Sequence, residues 1–198
     1  MKKNGTILTC LVLLLFIHVG LSGCSDDPTT IPAASPQPER ITEEGNMFVL
    51  TSSAFENNGT IPEKYAYKLG TQCNGDNFSP PLGWTGAPMG TESFLLTVID
   101  PDGGDWVHWL LVNIPADLNT LTQVVNGPKE GIPGRNSFGG NGYGGPCPPS
   151  GTHRYIFTLY ALDTTLEVDP GVTLEEVSPL FKDHVLAQCQ LVGLKSAK

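Results

Sequence analysis

The chain has 198 residues, with 11 Lys and Arg against 20 Asp and Glu and a formal net charge of −9. No Lys/Arg cluster interrupts that acidity, which excludes a nucleic-acid partner, because neutralising a phosphate backbone needs a basic footprint. Glycine (23 residues) and proline (17) make up about a fifth of the chain and punctuate short apolar runs, the pattern of turns between short elements.

Lys2 and Lys3 precede an apolar run over residues 7–19, broken only by Thr9 and His18. The run is shorter than the about 20 residues a membrane span needs. It has the flanks of a secretory signal peptide, assigned to residues 1–23. The run leads to Leu21-Ser22-Gly23-Cys24, which resembles a prokaryotic lipobox and makes Cys24 the predicted lipidation site. The expected location is therefore exported, held on a membrane by the N-terminal lipid on its periplasmic or cell-surface side. Residues 24–46 carry Pro28, Pro32, Pro36 and Pro38 among small polar residues and read as a disordered spacer. Residues 47–198 are enough for one domain with a sizeable core.

Within that domain, residues 47–51, 93–99, 107–114, 154–162 and 190–195 read as strands, from their short length and their β-branched and aromatic content. The three central runs are apolar at almost every position, as burial on both faces requires. Thr173-Leu174-Glu175-Glu176 has the form of a helix capping box, and an apolar pattern continues through Val177, Leu180, Phe181, Val185 and Leu186. Pro179 is expected to break or kink that helix, or to start a second one. The fold class is mostly β with a little α. Of five cysteines, Cys10 falls in the signal peptide and Cys24 is the lipid candidate. Cys73 and Cys147 both sit in Gly/Pro-rich loops and are the favoured disulfide pair, although spacing leaves the pairing open. Cys189, in an apolar run, reads as a small core residue.

Polar residues gather at three strand ends. Asp100-Pro101-Asp102-Gly103-Gly104-Asp105 reads on its own as a turn. His108 stands between Val107 and Trp109, where a histidine is ordinarily a hydrogen-bonded core residue. The stretch from Gly142 to Tyr155 is dense in Gly and Pro, and such a loop can aim main-chain amides into an anion-binding nest. It ends in His153-Arg154-Tyr155. Alternation along the strand makes Arg154 structural rather than a ligand.

Taken together, Asp100-Pro101-Asp102, Trp106-Val107-His108-Trp109 and Gly142-Tyr143-Gly144-Gly145-Pro146-Cys147-Pro148-Pro149 resemble the signature of the phosphatidylethanolamine-binding protein family. The likeness is to its prokaryotic, Raf kinase inhibitor-like branch of YbhB/YbcL type. Asn77-Phe78-Ser79-Pro80-Pro81-Leu82-Gly83-Trp84, Gly134-Arg135-Asn136-Ser137-Phe138-Gly139 and His184-Val185-Leu186-Ala187 also fit, in order, over residues 47–195. The resemblance implies a β-sandwich in which a large antiparallel sheet packs on a smaller one, with a short C-terminal helical segment. It also implies a pocket for a small anion or phosphoryl headgroup, lined by Asp100, His108, His153 and Tyr155. Gly145 and the loop up to Pro149 form its wall, and Tyr143 closes its rim.

Binding without turnover is the expected function, with no catalytic residue, metal or cofactor. Alternatives are an inhibitor or regulator of a protease or kinase-like partner, an acid–base enzyme using Asp100 with a histidine, and a metal site on the same residues. This chain departs from the family in having only Gly103-Gly104-Asp105 before Trp106, without the usual Ala-Pro. Pro179 and the lipobox are further departures.

Overall fold

A computed structural model describes residues 47–198. The expectations for the signal peptide, Cys24 and the spacer lie outside the described residues. Eleven strands follow in chain order: β1 (Val49–Thr51), β2 (Gly59–Thr60), β3 (Lys68–Leu69), β4 (Cys73–Asn74), β5 (Leu82–Thr85), β6 (Ser93–Asp100), β7 (Trp106–Pro115), β8 (Thr120–Leu121), β9 (Ile132–Pro133), β10 (Thr152–Leu162) and β11 (Val185–Ser196), with one helix, α1 (Leu174–Phe181), before β11. Six strands form the large sheet in the order β2-β11-β10-β6-β7-β9, three form a small sheet in the order β1-β5-β8, and β3 and β4 make a separate hairpin. The large sheet is antiparallel except where β2 joins β11 in parallel at its edge. Among the described residues, no helix is long and apolar enough to cross a membrane.

The chain is mostly β, as expected, and the layering explains the uniformly apolar strands. One face of the large sheet (Phe94, Leu96, Val98, Trp109, Leu111, Phe157, Leu159) packs on Leu50, Leu82, Trp84 and Leu121 of the small sheet. The other face (Leu95, Leu110, Val112, Leu162) packs on Val177 and Phe181 of α1 and on Leu166. Central strands covered on both faces must be apolar at successive positions. Each large side chain so buried contributes about 1.5–3 kcal/mol.

The C-terminal elements differ from the sequence reading. Thr173 does cap α1: its hydroxyl accepts from the Glu176 amide and Glu176 Oε2 accepts from the Thr173 amide at 2.9 Å. Pro179 neither breaks the helix nor starts a second one; it lies inside it, two residues before the end. Only one ladder bond is lost there, because so short a helix has little left to interrupt. Val185 and Leu186 do not continue the helix. They open β11, where Val185 pairs with Leu162. β11 buries Ala187, Cys189 and Leu191 while Gln188 and Gln190 point outward, a period of two that the glutamines obscure when the run is read for continuous apolarity.

Cys73 and Cys147 are joined, with Cα atoms 5.7 Å apart. Cys189 is a buried free thiol, its pKa pushed up to about 12 by burial.

Candidate functional site

Asp100 closes β6 and caps the turn that follows. Its Oδ1 accepts from the Gly103 amide at 2.8 Å, Pro101 takes the first position of a 3-10 turn, and Gly104 ends it with φ of 77°. That short turn returns the chain directly into β7. His153 and Tyr155 lie two residues apart on β10 and share a face. The pairing of Ile156 with Ile99 sets Tyr155 beside Asp100 across the strands.

His108 reaches the same place by a β-bulge. Val98 pairs with Trp109 and Ile99 with Val107, so β7 has one residue more than β6 here and His108 is the extra one. Without that insertion His108 would share a face with Leu110, which packs under α1. The bulge turns it towards Tyr155 instead, the two rings meeting edge to face at 5.0 Å.

The polar groups then fall into definite states. His153 Nδ1 lies 2.7 Å from Asp100 Oδ2, with side-chain exposures of 12% and 5%. A carboxylate holding an imidazole this way fixes its orientation and leaves Nε2 for a ligand. His108 Nδ1 lies 2.7 Å from the Gly144 carbonyl. A carbonyl only accepts, so Nδ1 carries the proton and Nε2 is the remaining polar atom. Burial lowers the His108 pKa from its ordinary 6.5, opposed by the Gly144 carbonyl and the Asp100 charge, so near neutrality Nε2 is an unprotonated acceptor. Tyr155 is fully buried and its hydroxyl has no hydrogen-bond partner of good geometry. Burial first, and then the Asp100 carboxylate, raise its pKa well above 10, while the Cys147 main chain opposes them. It therefore stays a neutral phenol with a proton to donate.

Arg154, on the opposite face of β10, is not in the site. Its guanidinium and its amide grip Asp102 at 2.7–3.0 Å. The clamp ties the Asp100–Asp102 turn to β10, the structural part expected of it.

The Gly-rich loop corrects the sequence reading on several points. Its amides over residues 142–145 are not free to form a nest. Those of Gly142, Tyr143 and Gly144 donate to the carbonyls of Gly134, Asn126 and His108, and that of Gly145 donates to Asn77 Oδ1 at 2.7 Å. Tyr143 is not at a rim: it is 2% exposed, its ring meets Trp109 edge to face, and its hydroxyl donates to the Tyr65 carbonyl at 2.7 Å. Gly145 is buried against main chain, and a Cβ there would lie 2.2 Å from the Tyr65 carbonyl oxygen. Pro149 is exposed.

Residues quoted only as parts of motifs turn out to organise the loop. Asn77, with φ of 56°, bonds Asn126, the Tyr143 carbonyl and the Gly145 amide. Asn136, 7% exposed, donates to the Gly142 carbonyl and accepts from the amides of Phe138 and Gly140. Phe138 sits where a Gly144 side chain would go, edge-on to His108 at 5.4 Å and between Tyr67 and Trp106. The available signal was asparagine inside Gly-rich stretches, the polar residue best able to hold φ > 0 and bond nearby main chain.

The sandwich, with one carboxylate, two histidines and a tyrosine gathered at the ends of β6, β7 and β10, defines a class that comparison with known proteins identifies. A sequence model of the phosphatidylethanolamine-binding protein family matches residues 51–196. A UPF0098 protein of Methanothermobacter thermautotrophicus is 43% identical over 151 residues, covering 73% of this chain and 96% of that one. The UPF0098 protein YbhB of Escherichia coli is 38% identical over 157 residues, covering 74% and 99%. Among solved structures, Escherichia coli YbcL, described as a new member of the mammalian PEBP family, superposes with a TM-score of 0.71 at 34% identity, covering 76% of this chain and 99% of that one. The chain belongs to the phosphatidylethanolamine-binding protein family.

Proposed function

We propose that this protein binds a small anionic group without turning it over, and that Asp100, His108, His153 and Tyr155 receive it. The group is a phosphate, a carboxylate or the phosphoryl headgroup of a phospholipid. The observation that carries this reading is the Tyr155 hydroxyl, a fully buried donor with no partner of good geometry. A group left so costs about 1–3 kcal/mol, a cost that an anionic oxygen seated against it removes. His153 Nε2, aimed by Asp100, supplies a second contact. A partly protonated phosphate supplies its own P–OH to the His108 Nε2 acceptor, or else binding brings a proton with it.

The same proposal holds the domain on the outer side of a membrane through a lipid on Cys24. The apolar run over residues 7–19 and Leu21-Ser22-Gly23-Cys24 support it. Incorporation of labelled fatty acid into the full chain, lost in Cys24→Ala, is the expected result.

The binding reading is tested by thermal-shift titration of the full chain with inorganic phosphate, phosphoethanolamine, acetate and zinc at two pH values. A ligand at one hundred times its Kd stabilises the fold by about 2.7 kcal/mol, which appears as a raised Tm. The expected result is stabilisation by phosphate or phosphoethanolamine that disappears in His153→Ala. Stabilisation by zinc alone would make these residues a metal centre, and no shift with any of the four would end the anion reading.

A further inference from the structure

The loop beside the site is tied to residues 65–77 by a graded series of links. The Tyr143 hydroxyl donates to the Tyr65 carbonyl, the Gly145 amide to Asn77, and the Tyr67 amide to the Pro146 carbonyl at 3.0 Å. The last of the series is the Cys73–Cys147 disulfide. Beyond it, residues 147–150 make no hydrogen bond of good geometry among the described residues, until Gly151 accepts from the Ala197 amide. The disulfide is thus the strong tie on the stretch that leads into His153, and the Cys147 main chain faces the Tyr155 hydroxyl. On its other side the bond holds the two-residue strands of the β3–β4 hairpin. Neither cysteine belongs to either core cluster, so the bond lies outside the packing between the two sheets. Cys147 is half-buried where Cys73 is buried, so Cys147 is the more exposed partner of the bond.

We propose that the Cys73–Cys147 disulfide is a redox-sensitive brace for the anion site: intact, it holds the Cys147 main chain over Tyr155 and the end of the Gly-rich loop against His108, and its reduction by a dithiol loosens that wall and weakens anion binding. This rests on the reading of the site given above. One thiolate of the dithiol attacks Cys147 Sγ, the S–S bond breaks, and Cys73 leaves as a thiolate that takes up a proton. The second thiol then closes the reagent's own disulfide and releases Cys147. The two electrons that reduce the protein bond come from the dithiol.

The experiment compares the oxidised full chain, the same chain reduced with dithiothreitol, and Cys73→Ser/Cys147→Ser. Phosphate and phosphoethanolamine affinity are measured by calorimetry, and the His108 and His153 ring signals by NMR without ligand. Reduction is expected to weaken binding about tenfold, equivalent to 1.4 kcal/mol, and to shift or broaden the ring signals while near-UV circular dichroism is kept. The double variant is expected to resemble the reduced chain and to ignore the reductant. Equal affinity with unchanged ring signals in both redox states overturns the proposal. So does loss of the cooperative melt on reduction, which would make the bond a general staple. If the oxidised chain binds neither anion, the anion reading fails by itself, and the ring signals still decide whether the bond braces these side chains.

Discussion

On the β7 side of the site, His108 is 3% exposed, bonded to main chain, and walled by Phe138 and Tyr155. On the β10 side, His153 keeps 12% of its side chain open and is held by a carboxylate. The same residue type is thus fixed in two ways. Burial keeps His108 neutral, and its carbonyl partner fixes the proton on Nδ1, so that Nε2 is an acceptor nitrogen facing the site. The Asp100 carboxylate makes His153 an oriented ring, held at Nδ1 with Nε2 left open. The comparison teaches that the β7 side is built by packing, where a single added atom does damage. The β10 side is built by polar contacts, where the damage falls on binding rather than on folding.

The largest expected effect comes from breaking the packed side. Gly145→Ala places a Cβ 2.2 Å from the Tyr65 carbonyl oxygen, a clash with main chain that no side-chain rotation relieves. Chemical denaturation should show a loss of about 3 kcal/mol or more, the upper range for overpacking, with the Gly144 carbonyl displaced from His108.

His153→Ala tests the other side. Isothermal calorimetry should show phosphate affinity falling about ten- to a hundredfold, the value of a hydrogen bond to a charged group, with the cooperative melt retained. A variant that unfolds would move His153 into the same packed class as His108 and erase the distinction.

Titration sharpens the contrast further. The folded-state pKa of His108 is depressed below its ordinary 6.5, so its neutral form favours the fold at higher pH. As pH falls below 6.5 the unfolded chain takes up the proton first, and stability is lost until the folded-state pKa is passed. Anion affinity should move the other way, rising as pH falls, because a protonated Nε2 becomes a donor. Melting curves from pH 7.5 to 5 should show the decline, and His108→Phe should flatten it. The carboxylates act lower down: Lys195 and Lys198 hold the Glu63 pKa at about 2, and that contribution is lost only as pH drops from its ordinary 4.5 towards 2.

The smallest effect is expected at Arg154, whose clamp on Asp102 is exposed. Arg154→Ala should leave phosphate affinity within about twofold of wild type, as for most solvated ion pairs. A larger loss by calorimetry would show that the clamp positions Asp100.

Much of this molecule was open to reading from residues alone, and the boundary follows the range of the interactions. The capping box at Thr173 and Glu176 uses groups three residues apart, so its sequence pattern is nearly its structure. The central runs announced burial on both faces because that requirement acts on every position of a strand. Asp100, His108, His153 and Tyr155 could be named together because the motifs occur in the family's order, with Tyr155 two residues beyond His153. Which side chains were free could not be read, since every loop amide from 142 to 145 is taken by an acceptor three or more residues distant in the chain. Tyr143 looked like a rim residue for the same reason: its acceptor is the carbonyl of Tyr65, 78 positions earlier.

By itself, the sequence determined the family, the mostly β class, the capped helix and the set of polar residues available for a site, since each depends on residue type and near neighbours. Only the tertiary structure decided that His108 faces Tyr155. That outcome depends on β7 carrying one residue more than β6 between two paired positions. A bulge is a mismatch in count between two strands, and it exists only once their register does.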